Sequence, residues 1–321
     1  MDETGKGLVT VFGGSGFIGN NVTQEIARLG YRVRVAVRRP DLAGEVRMFG
    51  FPGQVQPVQA NLRNKASVLR AAAGADVVVN LTGILNESGR QRFMAVHATG
   101  ARNVAEAAAE VGAARLVHMS ALGADADSPS AYARSKALGE AEVFKAFPEA
   151  VIFRPSLVFG RDDGFFNLFG EIARLSPVLP LIGGASRFQP VYVGDVAEAF
   201  TAAVAGVARP GMVYELGGPE VETMRELLER LLTEIQRRPM LLPIGPGLAR
   251  FMGSIAQLSP WKLFTADQAV LLQKDNVVSD AAARERRTLA GLGIAATAMD
   301  VVLPTYLWRF RRNGQFDRAN A

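Results

Sequence analysis

Leu8-Val9-Thr10-Val11-Phe12-Gly13-Gly14-Ser15-Gly16-Phe17-Ile18-Gly19 decides how this chain is read. Five residues of strand-forming character run into a glycine turn, and an amphipathic stretch follows at once. The glycines at 13, 16 and 19 have three separate tasks. The first lets the chain leave the strand in a turn that a side chain would obstruct. The second removes a Cβ that would hold a pyrophosphate away from the backbone. The third lets the following helix pack closely on the strand. The free N–H groups and positive dipole end of that helix then face an anion. A triphosphate-binding loop is the rival reading, but no Gly-Lys-Ser/Thr follows to supply its lysine and its metal-binding hydroxyl.

Outward from this stretch, the pattern repeats. A helix over 17–29 carries Ile18, Val22, Ile26 and Leu29 on one stripe, and Gly30 ends it. Strand-like runs follow at 32–37, 55–58, 77–80, 116–119 and 151–154, separated by alanine-rich helical segments at 65–73, 93–111 and 135–146. Strands alternating with helices predict an α/β fold, a Rossmann-type doubly wound parallel sheet with ligands at the carboxyl ends of its strands. Beyond Gly160 the alternation stops. The expected division is a nucleotide-binding domain over 1–160 and a smaller, mostly helical C-terminal region over 161–321 covering the cofactor cleft, with about 186–205 packing back on the first domain. Thr223-x-x-Glu226 is a capping box, opening a helix whose buried stripe is Met224, Leu227, Leu228, Leu231, Leu232 and Ile235. Residues 309–321 read as a basic, fraying tail.

Composition excludes several chemistries. The 321 residues contain no cysteine and only two histidines, His97 and His118. Disulfides, thiol nucleophiles, Cys-held zinc and iron–sulfur clusters are therefore ruled out, and no metal site is expected. The formal charge of +5 favours anionic partners such as a phosphorylated cofactor, an acidic protein or an anionic membrane surface. No basic run interleaved with aromatics points to nucleic acid. The N-terminal residues form neither a secretory signal nor an Arg-rich transit peptide, so the expectation is a bacterial cytoplasmic protein or an already processed organellar one, with the first favoured. No apolar run reaches the ~18 residues of a transmembrane helix.

At the end of the second strand stand Arg38 and Arg39, where an NAD-selective fold carries an acid. Guanidinium groups there suit a 2′-phosphate, which predicts NADPH over NADH. Asn61-Leu62 occupies the place of an Asp-containing pair against the adenine, although asparagine at a strand end is equally a turn former. Asn80-Leu81-Thr82-Gly83 is the small-residue turn that must skirt the cofactor. Tyr132-x-x-x-Lys136 puts a phenol and an ammonium on one helix face, where the ammonium lowers the phenol's pKa and the phenol becomes a general acid/base. His118 reads as a satisfied core residue, Asp162-Asp163 as a solvated loop pair, and Phe165, Phe166 and Phe169 as core. Leu248, Phe251, Met252 and Ile255, followed by Trp261 and Phe264, form a stripe that is either core or a membrane- or partner-docking face.

Gly13-x-x-Gly16-x-x-Gly19, Tyr132-x-x-x-Lys136, Arg154-Pro155 and Val193-Gly194-Asp195-Val196-Ala197 together resemble the short-chain dehydrogenase/reductase superfamily, in its extended, epimerase-like branch. Leu116–Ser120, Tyr132–Glu140, Ala146–Ala150, Gln189–Asp195 and Ser259-Pro260-Trp261 are similar, more narrowly, to the NADPH-binding accessory-subunit family of respiratory complex I. That resemblance implies a tightly held NADPH with a structural role, on a protein placed beside core subunits near the quinone-reducing region and peripheral on the cytoplasmic face of the membrane. The implied cofactor set is Gly13, Gly14, Ser15, Gly16, Phe17, Ile18, Gly19, Arg38, Arg39, Asn61, Leu62, Leu81, Thr82, Gly83, Ser120, Tyr132, Lys136, Pro155 and Ser156, with Tyr132 and Lys136 also the catalytic candidates. Catalytic members carry a Ser or Thr where this chain has Ala121, and an Asn where it has His97. Loss of an oxyanion donor costs ~10²–10³ in rate, so Tyr132 and Lys136 are expected to hold nicotinamide without turning it over. The alternative is an active NADPH-dependent reductase, or an epimerase/dehydratase-like enzyme.

Overall fold

The computed structural model describes residues 6–256 and 264–316. Its centre is a seven-stranded sheet: β1 (Leu8–Phe12), β2 (Arg32–Val37), β3 (Val55–Gln59), β4 (Val77–Asn80), β5 (Arg115–Met119), β6 (Val151–Pro155) and a seventh strand, Val213–Leu216. All pairings are parallel, and the spatial order is seventh–β6–β5–β4–β1–β2–β3. Parallel strands covered on both faces need apolar side chains on both, which is why β4 reads Val-Val-Val-Asn and is buried throughout. Helices α1 (Phe17–Arg28), α2 (Lys65–Ala72), α3 (Thr99–Glu110) and α4 (Ala131–Ala146) connect them. Val68, Val104 and Val143 from the last three share one core with Phe12, Val78, Leu116 and Ile152. Each such side chain contributes about 1.5–3 kcal/mol by burial.

The strand order reverses between β1 and β4, whose last residues, Phe12 and Asn80, are register partners. The turns that follow them therefore lie side by side, and this is the switch point at which such sheets take ligands.

The chain forms two compact units. The first comprises residues 1–155, 194–216 and 279–294, and the second comprises 156–193, 217–278 and 295–321. The seventh strand was not anticipated from the sequence. In the first unit, Glu215 on that strand accepts from the Ser279 N–H at 2.7 Å and its own N–H donates to Arg287 O. The second unit is built around α5 (Phe165–Leu175), α6 (Met224–Glu234) and a helix over Met299–Leu307. The capping box at Thr223–Glu226 forms, and the expected stripe is buried, Leu232 only in part.

Two expectations change. Asp163 is not solvated: it is 3% exposed and accepts from Tyr306 Oη at 2.6 Å and from the N–H groups of Gly160 and Phe166. The basic tail is ordered through its first half. The Phe310 ring packs on Gly170, Arg309 donates to Arg161 O, and Arg311 donates to Glu234 O. Of the two readings open for the 248–264 stripe, Leu248, Phe251 and Met252 follow the exposed one, and Phe264 packs in part against Ile182, Ala249 and Ala269. The Ile255 side chain and residues 257–263, including Ser259, Pro260 and Trp261, lie outside the described residues. Among the described residues no helix is long and apolar enough to cross a membrane, and no cluster of His, Asp or Glu suits a metal.

Candidate functional site

The glycine turn is built as its spacing suggests. Gly13 has φ +80°, in the left-handed region, and a Cβ on it would lie 3.0 Å from Thr82 Oγ1 and 3.1 Å from the Leu81 carbonyl carbon. A Cβ on Gly14 would meet Thr23 Oγ1 at 2.8 Å, and one on Gly19 would meet Gly13 O at 2.1 Å. The fold itself therefore requires those three. Gly16 is different: its backbone is ordinary and extended (φ −86°, ψ 179°), and a Cβ there would meet nothing nearer than Gly13 O at 3.6 Å. Nothing among the described residues requires a glycine at 16, and the missing Cβ leaves room for a ligand to lie on that backbone. Gly16 is the N-cap of α1, which has no side-chain cap and no acid in its first turn. The N-terminal N–H groups at Phe17 and Ile18, next to Ser15, thus keep their capacity for an anion.

Across the reversal, Leu81 is buried and hydrogen-bonded to Phe12 O, and the Asn80 carboxamide oxygen accepts from Thr82 N at 3.1 Å. The Asn80 amide nitrogen then faces His118 Nδ1 at 3.1 Å. His118 is buried, and burial followed by the Lys136 charge pulls its pKa to about 3. It is a satisfied core residue, as expected. Thr82 Oγ1 and Ser120 Oγ are buried without a hydrogen-bond partner. Thr82 Oγ1 borders the glycine turn and Ser120 follows the end of β5, and both orphaned hydroxyls fit a polar ligand that completes them.

Helix α4 carries Tyr132, Lys136 and Glu140 at four-residue intervals on one face. It starts earlier than its apolar pattern suggests, because the Ser130 hydroxyl caps it by accepting from Ala133 N. Lys136 is 3% exposed and donates to Met119 O at 3.2 Å, just before Ser120. Burial pulls its pKa down from 10.5 to about 8, against the opposing pull of the Glu140 carboxylate. Glu140 itself is held bidentately by Arg154 of β6, at 2.8 and 2.6 Å. A Cβ on Gly83 would stand 3.4 Å from Lys136 Nζ and 3.7 Å from His97 Nε2, so the small residue at 83 makes room for the ammonium.

His97 sits on a π-helical turn over Met94–Ala98 that leads into α3. The turn packs directly on α4, where a Cβ on Gly139 would strike His97 O at 2.2 Å. Such turns recur at functional sites, but their apolar pattern does not distinguish them from α-helix. Ser135 Oγ donates to Tyr132 O at 2.7 Å and so accepts from His97 Nδ1 at 2.8 Å. His97 Nε2 in turn accepts the Ile84 N–H at 3.0 Å. With both nitrogens committed the ring is neutral; burial first, then the Lys136 and His118 charges, hold its pKa down at about 2. The Tyr132 ring stands edge-on to His97 (centroids 5.3 Å apart) and to Phe93 (5.7 Å). An ammonium and a neutral imidazole thus converge beside Gly83, with the Tyr132 ring edge-on to the imidazole. That set can bind a ribose and bias a proton at the phenol.

The remaining candidates are spread more widely. Arg38 and Arg39 are exposed beyond β2, and Arg39 pairs with Asp41 at 3.0 Å. Asn61 is the turn former: its Oδ1 accepts from Arg63 N and Nε. Leu62 is in the core against Gly100. Pro155 ends β6, its carbonyl accepting from Leu122 N. Ser156 belongs to the second unit, where its hydroxyl donates to Asn276 and accepts from Gln189 N.

Residues 9–217 match the model of the NAD-dependent epimerase/dehydratase family. The chain belongs to this family. Among its relatives are two proteins named NADH dehydrogenase [ubiquinone] 1 alpha subcomplex subunit 9, mitochondrial. The Arabidopsis thaliana protein is 36% identical over 85% of this chain and 71% of its own length, and the mouse protein is 32% identical over 95% and 80%. In the solved structure of an Escherichia coli NADPH-dependent quinone oxidoreductase complexed with NADPH, the fold recurs with a TM-score of 0.72. Identity there is 18%, over 93% of this chain and 98% of that one.

Proposed function

We propose that this epimerase/dehydratase-family protein holds NADPH as a standing cofactor and serves as an accessory, assembly or stabilising subunit of respiratory complex I, beside its core subunits near the quinone-binding region. The observation that carries the reading is the 36% identity with a subunit of NADH dehydrogenase [ubiquinone] across most of both chains. In this reading Gly13, Gly14, Ser15, Gly16 and the α1 N-terminus take the pyrophosphate. Arg38 takes the 2′-phosphate and Thr82, Ser120 and Pro155 line the ribose–nicotinamide path. Tyr132 and Lys136 hold the nicotinamide ribose. NADPH supplies a hydride wherever a substrate can reach it. This chain offers a phenol for the proton but Ala121 where a second oxyanion donor would stand, and that favours retention over turnover. Docking at the cytoplasmic face of a membrane completes the reading; the exposed Leu248, Phe251 and Met252 provide an apolar surface for it.

The test is to purify the native protein, denature it and identify the released nucleotide, with sedimentation of mild-detergent extracts in parallel. About one NADPH per chain that stays reduced in the presence of quinones and carbonyl compounds, with co-sedimentation with complex I, supports the reading. The intact Tyr132–Lys136 pair favours a reductase as the second reading, and rapid oxidation at 340 nm that Tyr132→Phe abolishes would establish it instead. Replacement of Arg38 by Asp should weaken NADPH far more than NADH; equal losses contradict the 2′-phosphate assignment.

A further inference from the structure

The hairpin Ser88–Gln91 takes no part in the site above. Its two backbone hydrogen bonds, of 3.0 and 2.9 Å, close a two-residue turn at Gly89-Arg90, with Gly89 at φ +53°. Arginines from two different strand ends grip that one turn. With its amide oxygen turned inward, Gln91 accepts from both Nη atoms of Arg38, one at 3.0 Å. Arg63, beyond β3, donates from Nη1 to Arg90 O at 3.1 Å and from Nε to Asn61 Oδ1 at 3.4 Å. Two guanidinium groups are thus drawn to adjacent residues, and neither forms an ion pair with any described carboxylate. Arg39, by contrast, is matched by Asp41, whose carboxyl it holds below the usual range.

We propose that Arg38 and Arg63, bracketed by the 88–91 hairpin, form the two-cation site for the adenosine 2′-phosphate, and that Arg39 stands outside it. The inference rests on the NADPH reading above. Two like charges held on one turn repel each other, and a dianion between them reverses the sign of that interaction. Asn61 has a role here that its turn geometry alone does not give it. A carboxylate at 61 would orient Arg63 equally well but would neutralise it. A carboxamide orients it and leaves the charge for the ligand. Specificity at this end is therefore set on β3 as well as β2.

The test uses the full-length protein stripped of nucleotide, with NADPH and NADH titrated by nicotinamide fluorescence. Adenosine 2′,5′-bisphosphate and ADP serve as competitors that lack the nicotinamide. Arg63→Ala is expected to weaken NADPH and adenosine 2′,5′-bisphosphate by about tenfold or more while NADH and ADP move by less than about threefold. Asn61→Asp should act in the same direction, and Arg39→Ala should move all four by less than about threefold. If Arg63→Ala weakens NADPH and NADH alike, its role is structural and the inference falls; an Arg39→Ala loss equal to that of Arg63→Ala overturns it too. A wild-type preference for NADPH that survives both Arg63→Ala and Asn61→Asp overturns this inference alone. A wild-type protein without that preference overturns it together with the cofactor reading.

Discussion

Replacing Lys136 by methionine should make the nucleotide-free protein more stable. Lys136 is 3% exposed and its ammonium donates to Met119 O. Burial moves its pKa from 10.5 to about 8. At about 1.4 kcal/mol for each pH unit, the folded state carries a burden of about 3 kcal/mol at neutral pH from this one charge. Methionine fills similar volume without charge, and the lost hydrogen bond returns about 1 kcal/mol of that, leaving a gain of about 2 kcal/mol. With an unfolding entropy of about 2.1 cal/mol/K per residue, that is a rise of roughly 3 °C in Tm for 321 residues. The sign with pH follows from proton counts. Between about 8 and 10.5 the unfolded lysine keeps its proton while the folded one has lost it, so wild-type stability rises with pH through that window. Lys136→Met, lacking the group, gains nothing there. Thermal unfolding of both proteins at pH 7 and pH 9.5, without nucleotide, should therefore show the variant's advantage shrinking. A variant less stable than wild type at pH 7, or an advantage independent of pH, would refute the argument. The same variant should lose nucleotide affinity.

Other perturbations separate structural from ligand-directed roles. Gly19→Ala, whose Cβ would fall 2.1 Å from Gly13 O, should lower stability by about 2 kcal/mol or more in urea melts. Gly16→Ala should leave the melt within about 0.5 kcal/mol of wild type and reduce nucleotide affinity instead. Tyr306→Phe removes the 2.6 Å hydrogen bond to buried Asp163 and should cost about 1–3 kcal/mol by chemical denaturation. Arg154→Ala leaves the Glu140 carboxylate buried and unpaired and should cost about 3–5 kcal/mol, most of which an added Glu140→Leu recovers.

What could be read in the sequence was local. The glycine turn, the alternating strands and helices and the Tyr132–Lys136 face all follow from spacing over a few residues, and the structure forms each of them. The Arg39–Asp41 pairing was within the same reach, two residues apart, yet the two arginines look alike until an acid is assigned to one. What escaped was set over long separations. Asp163 is buried because Tyr306, far along the chain, meets it. Val213–Leu216 lacks the continuous apolar run of β4, because Glu215 interrupts it, and becomes a strand by pairing with β6. The π-helical turn at His97 shares its apolar pattern with α-helix, and the close approach of Gly139 that accommodates it lies on another element. Arg63 carries no local signal of its role, because the Arg90 carbonyl that receives it lies on another loop.

The order in which the sheet is completed bears on how the protein is made. β6 leaves the ribosome well before its outer neighbour at 213–216, and the segment that bonds that neighbour, 279–294, comes later still. Until Ile294 has emerged, the nascent sheet presents β6 as an open edge of apolar, strand-prone residues, a template for pairing with other chains. An N-terminal fragment ending near residue 160 should therefore aggregate or hold a chaperone, and folding of the first unit should wait for residues 279–294 rather than proceed as synthesis does.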